Sequence, residues 1–105
     1  MRVGGAGATQ AATPEVQALC DGVRDAAQSM AQASGWNGIF STFEAKEFKS
    51  QVVAGTNFFV KVQVSETQFA HVRIYRALSH TGAAPSVAAV KLVDANEPLD
   101  YFEAA

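Results

Sequence analysis

Apolar positions along the chain change their period once. Between Thr13 and Gly35, Val16, Leu19, Cys20, Val23, Ala27 and Met30 recur at helical spacing, with Gln17, Asp21, Arg24, Asp25 and Gln28 on the opposite side. Thr13 is a good N-cap, Pro14 suits the first helical position and Glu15 places an acid in the first turn. The pattern stops at Ser34-Gly35, where glycine can cap the C-terminus. It predicts one amphipathic helix of about five turns. From residue 39 onward the period falls to two. Residues 39–50 predict a strand with Ile39, Phe43 and Ala45 in one phase and Phe48 in the other, a slip that predicts a β-bulge. In 56–64, Phe58, Val60, Val62 and Val64 alternate with Phe59, Lys61 and Gln63. In 69–78, Ala70, Val72, Ile74 and Leu78 alternate with Phe69, His71, Arg73 and Tyr75, and Arg76 shares the apolar phase near the strand's open end. Residues 86–93 predict the last strand.

The connections complete this outline. Trp36-Asn37-Gly38 joins the helix to the sheet, with the indole expected over one end of the sheet or against a partner. Ser65-Glu66-Thr67-Gln68 is a polar turn, 94–98 is another, and Leu99-Asp100-Tyr101-Phe102 is expected to dock as a tail. A helix with one apolar face needs a cover, and a twisted antiparallel sheet supplies it. The expected class is α+β, one domain over residues 1–105.

One connection breaks the rule that strand turns are polar. Gln51-Val52-Val53-Ala54-Gly55 carries three apolar residues between two predicted strands, with Gly55 supplying the bend. Apolar groups at an exposed tip bury nothing within one molecule, which favours a partner surface. The alternative is a buried strand corner with Gly55 as a bulge. β-Branched Val52 and Val53 also prefer extended geometry over a tight reversal, so the stretch is a candidate hinge for domain swapping.

Composition narrows the possible functions. With 105 residues, 49% of them apolar, the chain is long enough for a single core. Its eight basic residues are scattered and the formal net charge is −2, so no nucleic acid partner is expected. No stretch has the length or composition of a membrane span or a signal peptide, and no membrane partner is expected. Cys20 is the only cysteine, which excludes an intrachain disulfide and suits a reducing, cytoplasmic location.

Candidate chemistry is sparse. Cys20 sits on the apolar helix face, where a thiol packs as a small hydrophobe, and nothing in the sequence brings His71 or His80 beside it as a base. His71 falls on the polar phase of its strand and is expected to be solvated. Two histidines and one cysteine without ligand spacing give no metal site, and no cofactor motif is present. Glu44 and Glu47 alternate with lysines as a solvated edge.

The motifs nevertheless converge on one family. Gly4, Ala8-Thr9-Gln10, Phe48-Lys49-Ser50, Gln51-Val52-Val53-Ala54-Gly55, Thr56-Asn57, Leu78-Ser79-His80 and Tyr101-Phe102 occur in this order over nearly the whole chain. Together they resemble the cystatins, protein inhibitors of papain-like cysteine proteases. The size and the single cysteine resemble the type 1 branch, the stefins. The resemblance implies one α-helix packed in a twisted antiparallel β-sheet, and a wedge of three segments at one end of the molecule. These are a flexible amino-terminal arm (residues 1–8, with Val3, Gly4 and Gly5 at the contact), a first loop (Gln51, Val52, Val53, Ala54, Gly55) and a second loop (Leu78, Ser79, His80). Composition alone would make the arm a frayed terminus. A glycine without Cβ lets the arm pass close to the protease cysteine, and both Gly4 and Gly5 fit that pivot.

Ser79 departs from the family, which usually has proline there. The loss of a fixed φ frees the second loop. The implied function is reversible, tight-binding inhibition with no catalytic residue of its own. The partners expected are papain-like proteases, and the expected state is a monomer, with a domain-swapped dimer as the second state that the hinge allows. Two other functions compete: a cystatin-fold scaffold without inhibitory activity, and an enzyme with Cys20 as nucleophile.

Overall fold

The computed structural model describes residues 8–77 and 84–99. Its elements are β1 (Gln10–Ala11), α1 (Pro14–Ala33), β2 (Glu44–Val53), β3 (Gly55–Gln63), β4 (Phe69–Arg76) and β5 (Ser86–Val93). The five strands form one sheet in the order β1-β2-β3-β4-β5, and every neighbouring pair is antiparallel. The α+β arrangement expected from the hydrophobic periods is the one observed.

Both ends of α1 follow from local chemistry. The Thr13 side chain accepts from the Val16 amide at 3.2 Å, and Pro14 fills the first position, where an amide would have no helical partner. At the other end Gly35 has φ +103°, the left-handed conformation that glycine adopts without strain. The Trp36 amide then donates to Ala31 O and the Gly35 amide to Gln32 O, the paired bonds of a Schellman cap. The cap turns Trp36 back onto the core, where its ring lies 5.2 Å from that of Phe40.

The strand expected over 39–50 begins later, at Glu44. Residues 39–43 are not strand because helix side chains take the backbone groups that a ladder would use. The Gln28 carboxamide oxygen accepts from the Phe40 amide at 2.8 Å, and Arg24 donates to Phe40 O. Phe40 and Phe43 stack at 5.1 Å, closing that end of the core and leaving Ile39 exposed. Within β2 the register against β3 shifts between Ala45 and Glu47, the bulge that the phase slip predicted.

The core lies between the helix and one sheet face. Val16, Cys20, Val23, Ala27 and Ala31 pack against Phe48, Phe58, Val60, Val62, Val72 and Ile74. The opposite face is also covered, which alternation along β3 and β4 did not predict. Phe59 is fully buried, Lys61 reaches Ala95 O at 2.9 Å, and Leu99 is buried. His71, expected to be solvated, is only 2% exposed. It pairs across the sheet with Lys61 and Lys91 under the segment that follows β5. Burial and these two lysines lower its pKa to about 4, partly opposed by Glu97 and Glu47.

Candidate functional site

The 51–55 stretch forms the β2–β3 hairpin. Pairing continues through Gln51↔Asn57 and Val52↔Thr56 to Val53↔Gly55, so the chain reverses at Ala54 alone. So short a reversal needs an unusual backbone conformation, and Gly55 provides it with φ +124°. Val52 is 73% exposed and Val53 42%, and Ala54 is exposed as well. The stretch is therefore a projecting tip and not a buried corner.

Support for the tip comes from the neighbouring strand. The Tyr75 hydroxyl, on β4, donates to Ala54 O at the point of reversal. Gly55 lies against Tyr75 so closely that a Cβ there would be 2.6 Å from the Tyr75 hydroxyl and 2.7 Å from Arg76 O. At the base of the hairpin the Asn57 carboxamide, itself buried, donates to Gln51 Oε1 at 2.8 Å. Register sets Gln51, Asn57 and Tyr75 in one row across β2, β3 and β4. Arg76, one residue further, stands 5.0 Å above the Phe58 ring on the helix side. Periodicity did not identify Tyr75 or the Gln51–Asn57 pair as parts of this site. The available signal was that Tyr75 follows the apolar Ile74 near the end of a strand.

The other expected contacts, Val3, Gly4, Gly5, Leu78, Ser79 and His80, lie outside the described residues. Their flanks are described. β1 runs antiparallel to β2, pairing Gln10 with Phe48, so residues 8 and 9 lie toward the end of β2 that carries the hairpin. β4 ends at Arg76 opposite Thr56, and β5 starts at Ser86 opposite Tyr75. The connection from β4 to β5 thus leaves and re-enters the sheet at the hairpin end.

Among the described residues, the chemistry of a catalytic centre is not assembled around Cys20. The thiol is fully buried in the helix-side core, and burial, with Asp21 nearby, pushes its pKa up to about 12. A thiol so held stays protonated and beyond reach of a substrate. Among the described residues no group of three His, Cys, Asp or Glu side chains could hold a metal ion.

The family model of the cystatin domain matches residues 4–91. Over 80 residues, 76% of each chain, this protein is 46% identical to Cystatin-B of Bos taurus. Over the same share it is 45% identical to Cystatin-B of Ovis aries and 44% identical to Cystatin-B of Homo sapiens.

Proposed function

This chain belongs to the cystatin family, in its type 1 or stefin branch, and from that membership we propose that it inhibits papain-like, cathepsin-type proteases by reversible, tight occlusion of the active-site cleft. As a cystatin it is a cysteine protease inhibitor and not an enzyme. The observation that carries the proposed mode is the hairpin tip, where Val52, Val53 and Ala54 are exposed on a turn fixed from below. In this reading Gln51, Val52, Val53, Ala54 and Gly55 enter the cleft. Val3, Gly4 and Gly5 of the 1–8 arm fill the substrate-side subsites. Leu78, Ser79 and His80 cover the other flank. The direction of β1 and the positions where β4 ends and β5 begins support this convergence.

The mechanism is steric. Burying a valine side chain contributes about 1.5–3 kcal/mol, so two at the tip make a substantial anchor. The hairpin is already ordered by the sheet, so binding does not carry the full cost of fixing its backbone, about 1–2 kcal/mol per residue. The wedge offers no peptide bond in line with the protease thiolate, so the inhibitor is not cleaved. The whole 1–105 chain acts as one inhibitory domain in the cytoplasm. Its single cysteine suits that compartment, and no described helix is long and apolar enough to cross a membrane. The active form is the monomer, because a swapped dimer opened at the 51–55 hairpin would consume the tip.

Titration of active papain with the purified chain tests this function. Stoichiometric loss of activity that returns on dilution is the expected result. Undiminished activity at large excess would leave a cystatin-fold scaffold without inhibitory function.

A further inference from the structure

We infer that Tyr75 is a positioning residue for inhibition, its hydroxyl holding the β2–β3 tip in the one geometry that fits a protease cleft. This inference rests on the inhibitory function proposed above. It starts from what the tip lacks. Val52 and Val53 favour extended backbone, and Ala54 brings neither the side-chain acceptor of asparagine nor the freedom of glycine. Only Gly55 is suited to the reversal, and a glycine permits many conformations without selecting one.

Selection therefore comes from outside the hairpin. The Tyr75 hydroxyl donates to Ala54 O, fixing the peptide at the point of reversal. The Tyr75 ring and Arg76 O occupy the space where any side chain at Gly55 would project. The Asn57–Gln51 bond joins the two strands two residues behind the paired Val53 and Gly55. The anchor is on β4, a different strand from either arm of the hairpin, so the tip cannot tilt without breaking that bond. β4 is also the strand from which the connection to β5 departs, so Tyr75 ties the tip to the base of that second segment.

Loss of the hydroxyl should act on the competent population of the tip and not on its contact surface. Val52 and Val53 remain, but a smaller fraction of molecules presents them correctly, which lowers the apparent affinity in proportion. A neutral hydrogen bond of ordinary strength corresponds to about a fivefold change in the ratio of competent to other tip conformations, which sets about fivefold as the largest loss of apparent affinity.

The test compares the full chain with Tyr75→Phe in three measurements: association and dissociation rates with papain, amide hydrogen exchange at 54–56, and melting temperature. The expected result is association slowed measurably and by no more than about fivefold, a nearly unchanged dissociation rate, faster exchange at the tip, and a melting temperature within a few degrees of the parent. Association at the parental rate overturns the inference, as does unaltered tip exchange. A slower association matched by a global rise in exchange also overturns it, since the effect would then be one of stability. If the parent chain itself fails to inhibit papain, the functional reading falls with its positioning residue. The exchange measurement then still decides whether Tyr75 fixes the tip.

Discussion

Strand β3 is entered and left through two hairpins built on opposite plans. The one at its far end has a polar turn, 65–68, that closes on itself. The Gln68 amide donates to Ser65 Oγ at 3.1 Å, the Val64 and Ser65 amides donate to Gln68 O, and Gln63 reaches Glu66 O. The one at its start, 51–55, has an apolar tip whose hydrogen bond at the reversal comes from Tyr75 on the next strand. A turn that only joins two strands can satisfy its own backbone with short polar side chains. A turn that must keep its side chains for a partner gives up that option, and its conformation has to be fixed from elsewhere. Under the proposed function, the difference separates a connection from a recognition surface within a single sheet.

Both hairpins depend on β4, so the largest effect should come from disturbing that strand. His71 is held well below its unfolded pKa of 6.5, and the unfolded chain therefore takes up the proton first. Its contribution is fully present above pH 6.5 and is lost as the pH falls toward 4, amounting to about 3 kcal/mol at most. Denaturant melts at pH 7 and pH 5 should show a loss that His71→Gln reduces. An equal pH dependence in the variant would remove His71 from the explanation.

Gly55→Ala comes next. It places a side chain at φ +124° against backbone Arg76 O, which cannot move aside as a flexible side chain could. A cost of roughly 2 to 3 kcal/mol in stability is expected, together with weakened papain inhibition. Gly22, exposed on α1 with nothing near its missing Cβ, is the control, and Gly22→Ala should be neutral or slightly stabilising.

Val53→Asp tests the tip without disturbing its support. A charge driven into an apolar cleft should cost about 2 kcal/mol or more of binding, read as a raised inhibition constant, while the melting temperature stays near the parent. The smallest effect belongs to the polar hairpin. Ser65→Ala removes two local hydrogen bonds, one from the Gln68 amide and a longer one to Gln68 Oε1, and should lower stability by about 1 kcal/mol or less, with no change in inhibition.

The same contrast explains which parts of the molecule were legible in the sequence. The helix, its caps, the bulge before Glu47 and the exposed apolar tip depend on local rules, and each is visible as a period or a residue type. His71 was not, because alternation along one strand reports two faces without saying what covers the second. Here the chain after β5 does so, through Ala95, which binds Lys61, and Glu97, close to His71. The late start of β2 was hidden for a related reason, since Gln28 and Arg24 reach it from the helix. Tyr75 has the spacing of an ordinary strand residue; register sets it opposite Asn57, and only its side chain reaches Gly55 and Ala54 O.

Hydrogen exchange of the inhibitor, free and bound to catalytically inactivated papain, sets the two hairpins directly against each other. The account predicts strong added protection at 52–55 and none at 65–68. Protection at 65–68 with an unchanged 52–55 tip would contradict it.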